Sequence, residues 1–315
     1  MSDQNQNPQG WERKVLEKIA LEGLKEQRSR RRWGIFFKLL GFSYVGVLIW
    51  SLMGLGDSSA VDGGQHTALV QMNGVIQAKG EADADSVVGA LQSAFDDKNT
   101  AAVILRINSP GGSPVQAGII YDEIRRLRGK HPEVKVHVVV DDVCASGGYY
   151  VAAAADNIYV DKASIVGSIG VLMDGFGFTE AMQKLGVERR LLTAGENKGF
   201  LDPFSPLEGT QKIFAQEMLG EIHAQFIDAV RQGRGKRLKE TPEMFSGLMW
   251  TGAKSVQLGL ADGFGTVESV ARDVVKVENI RDYTVKQNFA ERIAKRFGTD
   301  MAESAMRAFG RTELR

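Results

Sequence analysis

The stretch that decides the fold is KVHVVVDDVCASGGYYVAAAAD, residues 135–156. It begins as a β-branched apolar strand, and a run of small residues that predicts a helix follows Ser146. A serine at a strand-to-helix turn is exposed, and the unpaired N–H groups of the helix start face any negative charge that develops beside it. Ser146 is therefore a candidate nucleophile, although a serine that only caps the helix is the commoner arrangement on this stretch alone.

Short apolar runs and predicted helices alternate on both sides of this stretch, which indicates an α/β domain with a largely buried sheet. The other predicted strands are TALVQMNGVI (67–76), AAVILRI (101–107), NIYVD (157–161), IVGSIGVLM (165–173) and VERRLLT (187–193). The predicted helices lie near 84–97, near 114–128 and at about 207–232, with short helices packed onto the sheet in 241–275.

The N-terminal part predicts a membrane anchor over residues 33–56, since residues 39–56 carry no charge. A buried core helix would show a polar face, and a cleaved signal peptide would begin earlier and end in a small-residue cleavage site. Basic residues precede the run, and none follows until Lys79, so residues 1–32 are predicted to be cytoplasmic and the remainder external. A linker (57–66), a folded domain (67–287) and an amphipathic tail (288–315) complete the predicted organisation.

Composition excludes several classes of protein. Lys plus Arg and Asp plus Glu both total 39, so no basic field indicates a nucleic-acid partner. The single cysteine, Cys144, excludes a disulfide framework and a cysteine-based zinc site within the chain. The four histidines are scattered and form no HExxH motif, so no metal or other cofactor is predicted.

A glycine turn, RINSPGGS (106–113), directly follows a predicted buried strand. Pro110 presets a turn, and Gly112 allows a backbone N–H to approach a ligand closely. The functional interpretation is half of an oxyanion hole, with a second N–H from Gly147; an ordinary strand-to-helix turn is the alternative.

Ser146 also needs a base. None of the histidines lies in a glycine-rich loop that could present it, so a histidine triad is not expected. A lysine can serve when burial or nearby positive charge keeps it neutral. Lys198, in TAGENKGFLDPFSP (193–206), is the stronger candidate, and Lys162 is the competitor. Cys144 is expected to be a buried apolar residue rather than a nucleophile.

Four motifs in order, NSPGG, ASGGYYVA, VGSIGV and GENKGFLDPFSP, behind one N-terminal apolar segment, resemble the short form of the bacterial signal peptide peptidase A family over about residues 67–275. That resemblance implies a Clp/crotonase-like fold of repeated strand-strand-helix units after one transmembrane helix, with residues 67–287 as the peptidase domain. It also implies a serine-lysine peptidase with Ser146 as nucleophile, Lys198 as general base and Ser168 orienting the lysine. Gly112 and Gly147 then form the oxyanion hole, and the match favours Lys198 over Lys162.

Further expectations come with the resemblance: single-pass insertion in the bacterial cytoplasmic membrane, an external or periplasmic catalytic domain, and a ring-like homo-oligomer whose neighbouring subunits complete each site. The expected substrates are peptides, either remnant signal peptides or other apolar membrane segments. The alternatives are a related peptidase that cuts membrane proteins and a membrane-tethered scaffold of the same fold without catalysis. Acyl-CoA chemistry on this fold fits poorly, because CoA is a cytoplasmic cofactor.

Overall fold

The computed structural model describes residues 9–52 and 64–285. They belong to two compact units: one contains helix α1 (Gln9–Leu52), and the other spans Gly63–Lys286. The predicted tail (288–315), residues 57–63 of the predicted linker and residues 53–56 of the predicted anchor lie outside the described residues. Within residues 9–52 and 64–285, no helix is both long enough and apolar enough to cross a membrane.

The second unit alternates strands and helices from its start. Its strands are β1 (His66–Asn73), β2 (Thr100–Ser109), β3 (Lys135–Ala145), β4 (Asn157–Val160), β5 (Ile165–Gly167), β6 (Met249–Thr251), β7 (Gly263–Phe264) and β8 (Ile280–Asp282). Its helices are α2 (Ala84–Asp96), α3 (Pro114–Lys130), α4 (Gly147–Ala152), α5 (Thr179–Lys184), α6 (Gly209–Arg234), α7 (Gly252–Leu258) and α8 (Val267–Ser269). A 3-10 turn at Gly235–Arg237 follows α6, and a π-helical turn at Val270–Val275 follows α8.

One eight-stranded sheet runs in the order β6-β5-β3-β2-β1-β8, with β4 pairing with β3 and β7. Its pairs are parallel except β5 with β6. The predicted α/β class is therefore confirmed, while the narrower Clp/crotonase assignment stays a prediction. The outer edge of β3 is shared, because residues 137–139 pair with β4 and residues 143–145 pair with β5. The second pairing leads directly to Ser146.

The sheet is covered on both faces, which explains why β2 and β3 are apolar almost throughout. Leu105 and Val138 contribute to the larger buried cluster with residues of α2, α3, α4 and α6. Ile104 and Val139, their neighbours in the chain, point to the opposite face and pack against Val267 of α8 in a smaller cluster. A strand buried on two faces loses the alternation of apolar and polar residues.

The prediction of a strand at VERRLLT (187–193) is wrong. These residues are exposed and adopt no regular structure. Arg189 instead pairs with Asp202 at 3.2 Å, and its guanidinium lies 5.1 Å from the ring centroid of Phe204. A β-prone run forms a strand only where a neighbouring strand supplies hydrogen bonds, and the described residues bring none to it.

The region after α6 was also predicted incompletely. Residues 241–275 were expected to form short helices, yet they contribute β6 and β7 to the sheet as well as α7 and α8. Strands of two or three residues are too short to show a period of two in the sequence.

Candidate active site

Ser146 lies at the turn between β3 and α4 in a strained backbone conformation, with φ 52° and ψ −124°. Its N–H donates to the Gly167 carbonyl at 2.8 Å, and its carbonyl accepts from the Tyr150 N–H at 2.9 Å. The side chain is half-buried, and within the described residues its hydroxyl makes no capping hydrogen bond to the helix. A non-glycine residue at this φ costs free energy, and such strain is concentrated at functional sites. The geometry therefore does not support the helix-cap interpretation and leaves the hydroxyl available for chemistry.

The glycine turn packs directly against Ser146. A Cβ built on Gly111, whose φ is 100°, would lie 2.7 Å from the Cβ of Ser146. A Cβ built on Gly147 would lie 3.4 Å from the nitrogen of Gly112. In the described part of the chain, neither the Gly112 amide nor the Gly147 amide donates to any acceptor. Two unpaired amides thus lie close together beside the hydroxyl, as an oxyanion hole requires.

A second backbone segment fixes the position of this turn. The Ile76 N–H donates to the Gly111 carbonyl at 2.8 Å, and the Ser113 N–H donates to the Ile76 carbonyl at 2.8 Å. The Ser109 hydroxyl donates to the Gly74 carbonyl at 2.6 Å and accepts from the Gly111 N–H at 3.1 Å. The sequence analysis missed these two supporting residues, Ile76 and Ser109. Of the two, Ser109 was the easier to predict as a supporting residue, because it is a polar residue at the end of β2, directly before the glycine turn.

Ser168 lies beside Ser146 because of the sheet register. Ala145 of β3 pairs with Gly167 of β5, so the next residue of each strand emerges at the same edge. Ser168 also has a positive φ of 51°, and its N–H donates to the Leu248 carbonyl at 2.8 Å. The structure therefore brings together four of the five predicted site residues: Ser146, Ser168, Gly112 and Gly147.

These four residues line one cavity of about 580 Å³ between the end of the sheet and helices α3, α4 and α6. Most of the remaining lining is apolar or small: Pro110, Pro114, Ala117, Tyr150, Gly170, Val171, Leu172, Ile222, Gln225, Phe226, Ser246 and Gly247. The cavity is large enough for an apolar side chain together with the backbone that carries it.

Neither candidate lysine reaches this cavity within the described residues. Lys198 is exposed, and its backbone N–H donates to the Gly195 carbonyl at 3.1 Å. Lys162 is also exposed, and its carbonyl accepts from the Ala253 N–H at 3.1 Å. Neither residue belongs to the cavity lining. The described chain thus brings the candidate nucleophile and the two candidate oxyanion-hole amides together, without the predicted base.

Comparison with known proteins identifies the family. Residues 128–281 match the sequence model of Peptidase family S49. A putative protease of Methanocaldococcus jannaschii is 31% identical over 258 residues, which cover 78% of this chain and 81% of that protein. The chain belongs to peptidase family S49.

Other relatives of this S49 chain carry different names. The putative signal peptide peptidase SppA of Enterococcus faecium is 28% identical over 235 residues, covering 71% of this chain and 67% of that protein. A protein of Brucella abortus named Na(+)/H(+) antiporter NhaA is 50% identical over 202 residues, or 62% of this chain. The match spans only 27% of that protein's length.

The histidines of the S49 chain lie elsewhere. His66 is buried beside the Tyr283 hydroxyl, 2.9 Å away, and His223 contacts the Ile169 carbonyl. His131 and His137 each keep one buried ring nitrogen unpaired among the described residues. None of the four belongs to the lining of the Ser146 cavity, whose residues are all described. The described geometry thus offers Ser146 no histidine base.

Cys144 is fully buried in the larger core cluster of the S49 chain. Burial raises the pKa of its thiol far above the ordinary value, so the reactive thiolate is suppressed. This agrees with the prediction that Cys144 is an apolar core residue.

Replacing Gly112 with alanine is expected to lower the melting temperature. The new Cβ would lie 2.1 Å from the Ile76 carbonyl oxygen, and φ at this position is 146°. Strain of this kind costs about 1–3 kcal/mol, or more where the turn cannot relax. Gly118→Ala in α3 is the matched control, since a Cβ there meets nothing within 4 Å, and it should instead raise the melting temperature. Equal melting temperatures for the parent and Gly112→Ala would contradict the tight approach of this turn to residues 74–76.

Proposed function

We propose that this S49 chain is a serine endopeptidase that cleaves apolar peptide segments, with Ser146 as nucleophile and Lys198 as general base. One observation carries the proposal: an uncapped hydroxyl in a strained turn lies beside the unpaired amides of Gly112 and Gly147. Membership of peptidase family S49 supports the same reaction.

The proposed chemistry is acyl transfer in two steps. The Lys198 amine accepts the Ser146 proton while the oxygen attacks the peptide carbonyl, and the Gly112 and Gly147 amides stabilise the oxyanion. Lys198 then returns that proton to the leaving amine, and an ester to Ser146 remains. Water, deprotonated by the same lysine, then attacks the ester. The lysine passes that proton to the departing Ser146 oxygen as the acid is released, which regenerates both the serine and the lysine. Ser168 orients the lysine.

A second copy of the chain is proposed to supply Lys198. The lysine is exposed in a segment, residues 171–208, whose apolar side chains are also exposed: Leu172, Phe176 and Leu192 are each at least 80% accessible. Apolar surface of this extent indicates a contact with another protein surface. In a ring-like homo-oligomer this segment could reach the Ser146 cavity of its neighbour, which lacks a base of its own.

The lining of the cavity supports the proposed substrate class. Val171, Leu172, Ile222 and Phe226 offer apolar contacts beside Ser146, and no charged side chain belongs to the described lining. Such a cavity favours apolar side chains and penalises charged ones by their desolvation. The name of the Enterococcus faecium relative suggests remnant signal peptides, and other apolar membrane segments would satisfy the same contacts.

Anchoring in the bacterial cytoplasmic membrane, with the catalytic unit outside, is also part of the proposal. It is supported by the uncharged run at residues 39–56 and by the absence of Lys and Arg between that run and Lys79. Alkaline extraction of membranes from cells that make the full chain tests it. Release of the chain with peripheral proteins would count against an anchor.

The deciding experiment combines peptide cleavage with covalent labelling of the purified full chain. We expect cleavage of an apolar peptide but not of a matched peptide with aspartates at the same positions. A phosphonylating reagent should attach to Ser146, as peptide mapping by mass spectrometry would show. A folded chain that neither cleaves nor reacts would instead be the non-catalytic scaffold considered above.

A further inference from the structure

The backbone from Gly167 to Ile169 forms one wall of the Ser146 cavity in a conformation that needs support. Gly167 and Ser168 both have positive φ, 111° and 51°. A non-glycine residue persists in this region only where its surroundings hold it there. The side chain of Ile169 is fully buried in the core. The segment is therefore held in the core by Ile169, directly after its two residues of positive φ.

Besides the strand pairing of Gly167 with β3 and β6, three hydrogen bonds among the described residues hold this wall. Two are made by backbone groups: the Ser146 N–H donates to the Gly167 carbonyl, and the Ser168 N–H donates to the Leu248 carbonyl, each at 2.8 Å. The third comes from a side chain, since Nε2 of His223 lies 3.1 Å from the Ile169 carbonyl oxygen. It is therefore the one that a substitution can remove without changing the backbone.

The carbonyl partner of this contact shows which ring nitrogen of His223 carries a proton. A carbonyl oxygen can only accept, so Nε2 of His223 must carry a proton and donate it. The ring belongs to α6, which also contributes Ile222 and Phe226 to the cavity. His223 thus ties the helical wall of the cavity to the wall that contains Ser168 and Gly170.

We propose that His223 is a positioning residue that fixes the 167–170 wall against which a peptide substrate binds. This inference rests on the proposed peptidase function and adds a residue that does not touch the reacting atoms. Without the imidazole, the Ile169 carbonyl loses its partner and the peptide plane between Ile169 and Gly170 is free to rotate. The wall then loosens at Ile169 and Gly170, while the Ser146 N–H keeps its bond to the Gly167 carbonyl and the glycine turn keeps its two bonds to Ile76.

The test compares two substitutions of different chemistry. His223→Leu removes the donor, whereas His223→Gln keeps an N–H at nearly the same reach. We expect the leucine variant to lose about tenfold in kcat/KM for an apolar peptide, mainly through a higher KM, and the glutamine variant to stay within about twofold of the parent. Glu221→Gln, an exposed change on the same helix, is the matched control and should leave both kinetic constants unchanged.

Two further measurements separate positioning from general damage. Labelling of Ser146 by a small phosphonylating reagent, which needs no peptide bound along the wall, should proceed at the parent rate in His223→Leu. Hydrogen exchange of a fragment covering residues 165–173 should accelerate in that variant, and this readout does not depend on activity.

Parent-like KM and exchange in His223→Leu would overturn the inference. Equal losses in the leucine and glutamine variants, or slower labelling of Ser146, would also overturn it. Failure of the proposed function would appear differently, as no Ser146-dependent cleavage by the parent.

Discussion

Replacing Ser146 with alanine should reduce peptide cleavage by about 10,000-fold or more, because the change removes the proposed nucleophile. The expected effect on folding is small. The Ser146 hydroxyl makes no capping hydrogen bond among the described residues, so its removal leaves no group unpaired. Steady-state cleavage of an apolar peptide measures the first effect, and thermal melting measures the second. Cleavage at the parent rate by a folded Ser146→Ala chain would contradict the assignment of the nucleophile.

Ser146→Gly sharpens the same prediction. Glycine adopts a φ of 52° without strain, so this variant should melt about 2–4 °C above the parent while being equally inactive. A gain in stability together with a loss of activity is expected where strain is stored for function. Ser109→Gly provides a contrast, since Ser109 makes two hydrogen bonds that support the turn, and that change should lower the melting temperature. A lower melting temperature for Ser146→Gly would show that the turn is not strained.

Much of the site could be predicted because it lies at the ends of neighbouring strands. The sequence predicts buried strands that end at Ile107 and before Ser146, and parallel neighbours present their carboxyl ends at one edge. The observed register, Ser109 with Cys144 and Ala145 with Gly167, places the turns after these strands side by side. The residues of each turn and the register of the strands before it therefore bring the candidate nucleophile and the two glycine amides together.

Other parts of the site could not be predicted, for identifiable physical reasons. His223 lies on an amphipathic helix, and a period of 3.6 shows which residues face inward but not which carbonyl they meet. The loop that contains Lys198 has no periodicity at all, so its path depends on contacts that only the folded chain reveals. The wrong strand prediction at residues 187–193 has a similar cause, since no strand of the described chain pairs with this segment.

Replacing Lys198 with alanine should lower kcat for peptide cleavage by about 100- to 10,000-fold, the usual contribution of a general base. Lys198→Arg should be equally impaired, because a guanidinium keeps the positive charge but cannot give up its proton. Lys162→Ala is the matched control: Lys162 is the other candidate lysine, is likewise exposed and outside the cavity lining, and has no role in the proposed mechanism, so its loss should leave kcat unchanged. Near-parent activity of Lys198→Ala together with a loss in Lys162→Ala would reverse the assignment of the base.

Mixed oligomers test whether Lys198 acts on the Ser146 of its own chain or on that of a neighbour. Ser146→Ala and Lys198→Ala chains, each inactive alone, would be produced together with different affinity tags and purified as one assembly. If a neighbour supplies the lysine, random mixing pairs an intact serine with an intact lysine at about one site in four, so about a quarter of the parent activity should return. If each chain used its own lysine, every site would lack one partner and the mixture would stay inactive. Because Lys198 is exposed and lies outside the described cavity, we expect activity to return.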